Sequence, residues 1–295
     1  MILWRARGIT LADATRPRVM GIVNVTPDSF SDGGRAFALD DAIATAERLV
    51  AEGADLLDIG GESSRPGADV VPVEEEIARV VPVIRALAGR ISVPISIDTT
   101  KPEVARLALE AGASILNDIR GLDDPDLLAI AAESDAGVVL MHMQGTPRTM
   151  QIDPRYVDVV REVRDDLIRK IEQAERAGIA RERIAVDPGI GFGKSFEHNL
   201  LLLRNLEAFA ALGCVLLVGT SRKGFLGKLA GRRTGDMTVP SVTSALAAAS
   251  AGARVVRVHD VAATVEALRV WEGHRGWGDP HFPGGVDAKA TSRGS

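Results

Sequence analysis

From Val19 onward, short apolar runs alternate with longer amphipathic stretches. Val19 to Val23 is almost uninterrupted in its hydrophobicity, and similar runs recur at 54–59, 93–97, 114–116, 137–141, 184–186, 215–218 and 254–258. Runs that lack polar alternation mark strands covered on both faces, as in a parallel sheet flanked by helices. The stretches between them carry the helical period. In DDAIATAERLVAEG (Asp40 to Gly53), Ile43, Ala46, Leu49 and Val50 share one face, and Gly53 supplies a stop. The same pattern predicts helices over 73–88, from Pro102 to Gly112, from Pro125, and over 156–177, 196–212, 241–251 and 262–273. Pro102 and Pro125 suit a first helical turn.

Eight strand-helix units in succession, each about the size of a βα repeat, predict an α/β chain closing into a (β/α)8 TIM barrel. A doubly wound open sheet is the alternative, but it leaves exposed edges that a barrel removes. Residues 2–13, with Ile2, Leu3 and Trp4 and then Ile9 and Leu11 around Gly8, predict a short amino-terminal ribbon. The expected organisation is one barrel domain over 1–275, followed by a Gly, Pro and Ser-rich tail over 276–295 that lacks periodicity and is expected to be disordered.

Composition narrows the picture. The 295 residues are 46% hydrophobic, enough for a sizeable core, whereas 4% aromatic content and 30 glycines indicate Ala, Val and Leu packing with many tight turns. A net charge of −5 argues against a general nucleic-acid surface, so any anionic ligand must be met by local cations. The amino terminus lacks a signal-length apolar segment, and no run of about 18 apolar residues suggests membrane insertion. The single Cys214 sits among Leu212, Val215 and Leu216 and suits a reduced core position in the cytoplasm.

Candidate chemistry lies where the strands end. Each carboxyl end carries an unusual polar residue: Asn24, Asp58, Asp98, Asn117, His142, Asp187, Lys223 or His259. On a barrel these ends converge on the rim that carries active sites. Acceptors on Asp98, Asn117 and Asp187 suit a ligand with a row of N–H donors, such as the aminopyrimidinone edge of a guanine or pterin; helix capping is the competing role for Asp98 and Asp187. Arg65, Lys223, Arg257 and His259 supply cations or donors for a diphosphate, with an Asp260 ion pair competing for Arg257. Neither His-Glu-x-x-His nor paired Cys-x-x-Cys is present, so oxygen ligands favour Mg²⁺, with Asn24 a candidate and Asp98 another. GIGFGKS matches a phosphate loop only superficially, and an exposed Phe192 suits covering a flat ligand. His142 reads as a packed rim residue.

NVTPDSFSDGG, DIGGESSRPGA, SIDTTKPEVA, ILNDIRG, DPGIGFGK, GTSRKGF and RVH, in that order across residues 18–273, resemble the dihydropteroate synthase family, the folate-pathway enzymes that sulfonamides inhibit. The resemblance implies a TIM barrel that dimerises and joins 6-hydroxymethyl-7,8-dihydropterin diphosphate to p-aminobenzoate, releasing pyrophosphate with Mg²⁺. It further implies Asp98, Asn117, Asp187 and Lys223 as pterin contacts, with Ile119, Met141, Phe192 and Gly219 lining the ring pocket. Arg257 would stack on the ring and reach phosphate, and Asn24 and His259 would join it at diphosphate and metal. Phe30, Ser64, Pro66, Phe192 and Ser221 would form the p-aminobenzoate pocket under loops carrying Asp28 and Arg65. Family members commonly have Thr at the position of Ser64 and often a larger or hydroxyl residue at Gly224.

The chemistry expected is dissociative: Arg257, His259 and metal hold the departing diphosphate while Asp28 stabilises the cationic methylene. Two other classes share pterin-binding barrels, methyltetrahydrofolate methyltransferases and non-catalytic homologues. Arg65, Arg257, His259 and both rim loops argue for the synthase.

Overall fold

The computed structural model describes residues 2–12, 16–26, 35–231 and 235–275. β1 (Trp4–Ala6) and β2 (Ile9–Ala12) form the predicted ribbon, turning through Arg7 and Gly8, both at positive φ. β3 (Arg18–Asn24), β4 (Leu56–Gly60), β5 (Ile95–Asp98), β6 (Ile115–Asp118), β7 (Gly137–Met141), β8 (Ile184–Asp187), β9 (Val215–Val218) and β10 (Val255–Val258) are parallel and adjacent in chain order. β10 pairs with β3, so the sheet closes into a barrel and the open-sheet alternative is excluded.

The helices α1 (Arg35–Ala51), α2 (Val73–Leu87), α3 (Pro102–Ala111), α4 (Pro125–Glu133), α5 (Val159–Arg176), α6 (Phe196–Arg204), α7 (Glu207–Ala210), α8 (Gly224–Leu229), α9 (Thr238–Ser250) and α10 (Val261–Arg275) alternate with the barrel strands. Several differ from the sequence pattern, and α1 and α9 begin at Arg35 and Thr238 rather than at 40 and 241. The helix expected over 196–212 breaks into α6 and α7 at Asn205, whose side chain donates to the Leu201 carbonyl at 2.8 Å and so competes with the helix ladder. α5 begins at Val159 because Asp158 caps it, accepting from the Arg161 amide at 3.1 Å. The unpredicted α8 is too short to show a period.

Strand alternation builds two cores. Val19, Val23, Leu57, Ile59, Ile97, Leu116, Val138, Leu140, Val186, Leu216 and Val256 pack outward among the helices. Met20, Leu56, Ile115, Val139, Ala185, Val215, Leu217 and Val255 instead form a second cluster with Trp4 and Leu11 of the ribbon. The ribbon is therefore a plug in the amino-terminal end of the barrel. Trp4 is fully buried and its indole N–H donates to the Arg183 carbonyl at 3.0 Å, so truncating it to Ala would cost about 3–5 kcal/mol. No helix among the described residues is long and apolar enough to cross a membrane. The expected tail at 276–295 lies outside the described residues.

Candidate active site

The alternation that fills the amino-terminal end with apolar side chains also places the next inward residue of each strand, because side chains two apart share a face. Leu56 is followed by Asp58, Ile115 by Asn117, Val139 by Met141, Ala185 by Asp187, Leu217 by Gly219 and Val255 by Arg257. A polar layer thus sits on the apolar plug at the carboxyl end of the barrel. Its centre is Arg257, whose Nε donates to Asp58 at 2.6 Å and whose Nη2 donates to Asp98 at 2.8 Å. Asn117 donates to the same Asp58 oxygen at 3.0 Å. The competing roles fall away: Asp260 pairs with Arg222 at 2.6 Å, and the N-caps of α3 and α6 are Lys101 and Ser195.

Burial sets the electrostatics. It pushes the Asp98 carboxyl up to about 7, against the pull of Arg257 and with help from Asp58, Glu76 and Asp118. Burial also raises Asp187, countered by Lys223 and by the Gly189 amide that donates to it at 2.7 Å. The Lys223 ammonium is lowered to about 8, chiefly by burial and although Asp187 opposes the shift. Lys223 donates to the Ile190 carbonyl and lies 4.4 Å from the centre of the Phe192 ring. Arg222, held at φ 58° just before it, makes the turn that brings Lys223 back to the mouth. Phe192 is half-buried beneath this ammonium rather than exposed.

His259 is held by Ser221. The Ser221 hydroxyl accepts from the His259 amide at 3.1 Å and lies 3.0 Å from Nδ1. Burial, then Arg257 and Arg222, lowers the imidazole to about 4, which keeps it neutral at pH 7. Ile119 and Met141 are buried at the same end, and Ser64, Asp98 and Ile119 line one small cavity with Glu62, Glu76 and Thr99. Arg65 and Pro66 are exposed on the loop after β4, and Arg65 is near enough to depress the imidazole further. Asp28 and Phe30 lie outside the described residues.

Two rim features resolve as structure. Lys194 of GIGFGKS is buried and donates to the carbonyls of Phe192 at 2.8 Å and His142 at 3.2 Å, with His142 Nδ1 at 2.9 Å. It braces two loops instead of meeting phosphate. His142 is packed as expected, its pKa lowered to about 3 by burial and Lys194. The residue that sequence reading left without a role is Asp58; its inward register, two positions after Leu56, was the available signal.

Residues 20–259 match the pterin binding enzyme family. The chain is 51% identical over 267 residues to the dihydropteroate synthase of Escherichia coli K12, covering 90% of this chain and 94% of that protein. The chain belongs to the dihydropteroate synthase family. Solved structures agree: Xanthomonas albilineans dihydropteroate synthase with 4-aminobenzoic acid superposes with a TM-score of 0.85 at 51% identity, covering 90% of this chain and 95% of that one. The same enzyme in complex with 7,8-dihydropteroate gives 0.79 at 46% identity, with the same coverage. Dihydropteroate synthase relatives are transferases of folate synthesis. In this chain the family motifs fall at the carboxyl ends of the strands, so the matched residues and the polar layer coincide.

A metal in a dihydropteroate synthase barrel meets a sparse donor set here. Among the described residues no cluster of three or more His, Cys, Asp or Glu could hold an ion. Half-buried Asn24, which pairs with Gly60 at the end of β3, offers one neutral oxygen. That fits Mg²⁺ arriving with waters and substrate phosphates.

Proposed function

We propose that the chain condenses 6-hydroxymethyl-7,8-dihydropterin diphosphate with p-aminobenzoate, giving 7,8-dihydropteroate and pyrophosphate. The observation that carries this reading is a single barrel mouth in which acceptors on Asp98, Asn117 and Asp187 lie with Lys223, Arg257 and a neutral His259. In this reading the N–H row of the pterin meets Asp98, Asn117 and Asp187, and Lys223 reaches a ring heteroatom. Ile119, Met141, Phe192 and Gly219 bound the ring. Arg257 keeps Asp58 on Nε and exchanges Asp98 for the diphosphate on Nη2, while His259 donates from Nε2. When bound, Mg²⁺ offsets charge on the diphosphate, with Asn24 as its protein oxygen.

The C–O bond to the diphosphate breaks with its electron pair leaving on oxygen, and the methylene becomes a cation conjugated with the pterin. Asp28 stabilises that cation electrostatically. The p-aminobenzoate nitrogen, held by Phe30, Ser64, Pro66, Phe192 and Ser221 under Arg65, then forms the C–N bond and loses a proton. The reading includes a homodimer, which the family resemblance supports, acting in the cytoplasm, which the free and buried Cys214 suits. The test is pyrophosphate release from the pterin diphosphate with and without p-aminobenzoate and Mg²⁺, comparing the native chain with Lys223→Ala. Release that needs both additions and is lost in the variant supports the synthase; tight pterin binding without release would make the chain a non-catalytic binder.

A further inference from the structure

Beside the mouth, three charged groups are drawn together out of water. The Lys101 side chain is 15% exposed, Glu62 21% and Glu76 1%. The Lys101 ammonium donates to Glu62 Oε2 at 2.7 Å and also to Glu76. A buried ion cluster seldom outperforms well-packed apolar residues in stability, so its geometry is where a role is to be sought.

That geometry closes a loop. Glu62 Oε2 also accepts from the Val71 amide at 2.7 Å, so one carboxylate fastens both ends of the loop that carries Ser64, Arg65 and Pro66. The loop starts against α2: a Cβ on Gly61 would come within 2.8 Å of Val80 and 3.0 Å of Glu76, and Arg79 donates to the Gly61 carbonyl at 2.7 Å. Lys101 stands three positions after Asp98, on the segment that leaves β5. It therefore joins the strand end that carries Asp98 to the loop over the neighbouring cavity. Burial alone would lower the Lys101 pKa, but the hydrogen bonds to Glu62 and Glu76 outweigh it and raise the ammonium above its usual value. The ion stays charged throughout the working range.

We infer that Lys101 is a positioning residue for the p-aminobenzoate loop, acting through Glu62. The inference rests on the assignment of Ser64 and Pro66 to that substrate. The experiment compares native chain, Lys101→Met, Lys101→Arg, Glu62→Gln and Ser64→Ala in KM for each substrate, with hydrogen exchange at the Val71 amide read alongside. Lys101→Met should raise the p-aminobenzoate KM about tenfold, the scale of losing one hydrogen bond to a charged group, and leave the pterin KM within about twofold. Val71 exchange should quicken, and Lys101→Arg should restore most of both. Glu62→Gln, which keeps the shape, gives the same reading should Lys101→Met not fold. Both KM values rising together with a fall in Tm would reduce Lys101 to a stabilising residue and overturn the inference. An unchanged p-aminobenzoate KM in Lys101→Met, with a raised one in Ser64→Ala, would also overturn it. Faster Val71 exchange with that KM unchanged in both would refute the loop assignment itself, and the inference with it.

Discussion

Asp58→Asn tests whether the buried carboxylate is the fixed anchor of Arg257. Asp58 is wholly buried and accepts two bonds on one oxygen, from Arg257 Nε at 2.6 Å and Asn117 at 3.0 Å. Asparagine keeps the shape and one acceptor but removes the charge. A hydrogen bond to a charged group is worth about 1.5–3 kcal/mol and a neutral one about 0.5–1.5 kcal/mol, so downgrading two costs about 2–3 kcal/mol. The Asp98 carboxylate still holds Nη2 at 2.8 Å, which keeps Arg257 inside the barrel and the fold intact. The loss should therefore appear in transition-state stabilisation, as a fall of about 30- to 150-fold in kcat/KM for the pterin diphosphate. Pyrophosphate release gives the rate, and far-UV circular dichroism with a thermal melt confirms the barrel. A variant within about threefold of the native kcat/KM would show that Arg257 needs no anchor at Asp58 and would refute the reasoning.

Two further expectations follow from the same site. Asp98 gains its acceptor charge as pH rises through about 7 and Lys223 loses its proton above about 8, so kcat/KM for the pterin substrate should peak between these values. Asp58→Asn removes a charge that raises Asp98, so its acid limb should move to lower pH; a limb that stays put counts against Asp98 as the titrating group. Gly189 and Gly224 should respond oppositely to a side chain: a Cβ at Gly189, where φ is +67°, falls 1.9 Å from the His142 carbonyl, whereas none at Gly224 meets an atom within 4 Å. Gly189→Ala should lower Tm by several degrees or prevent folding, and Gly224→Ser should change it by less than about 2 °C, a surface-substitution effect; equal melts would contradict the described turn.

Much of the site was legible because strand alternation and motif spacing are local. Asp98, Asn117, Asp187 and Arg257 could be placed on one rim from their position after apolar runs. Their partners were not legible. Neighbouring Asp260 competes for Arg257 along the sequence, yet closure of β10 onto β3 carries Arg257 to Asp58 and Asp98, while Asp260 goes to Arg222. Sequence proximity lost to barrel closure because an inward-facing guanidinium in a dry interior must find a carboxylate on another strand.

The helix break at Asn205 and the short α8 were missed for a different reason. Their patterns are too brief for a period, and a side chain bonding back to the Leu201 carbonyl decides the first. Lys101, Glu62 and Glu76 likewise look like ordinary solvated charges along the chain; only the packing of α2 under Gly61 withdraws them from water. The alternation of apolar runs by itself determined the βα repeat and the strand ends that carry the polar residues, since those depend on the burial of each segment; the pairing of β10 with β3 decided the barrel over an open sheet. Which charge meets which, how far each pKa moves and which lysines brace loops were decided by the tertiary structure alone, because electrostatic energies depend on separation and burial that only the closed barrel creates.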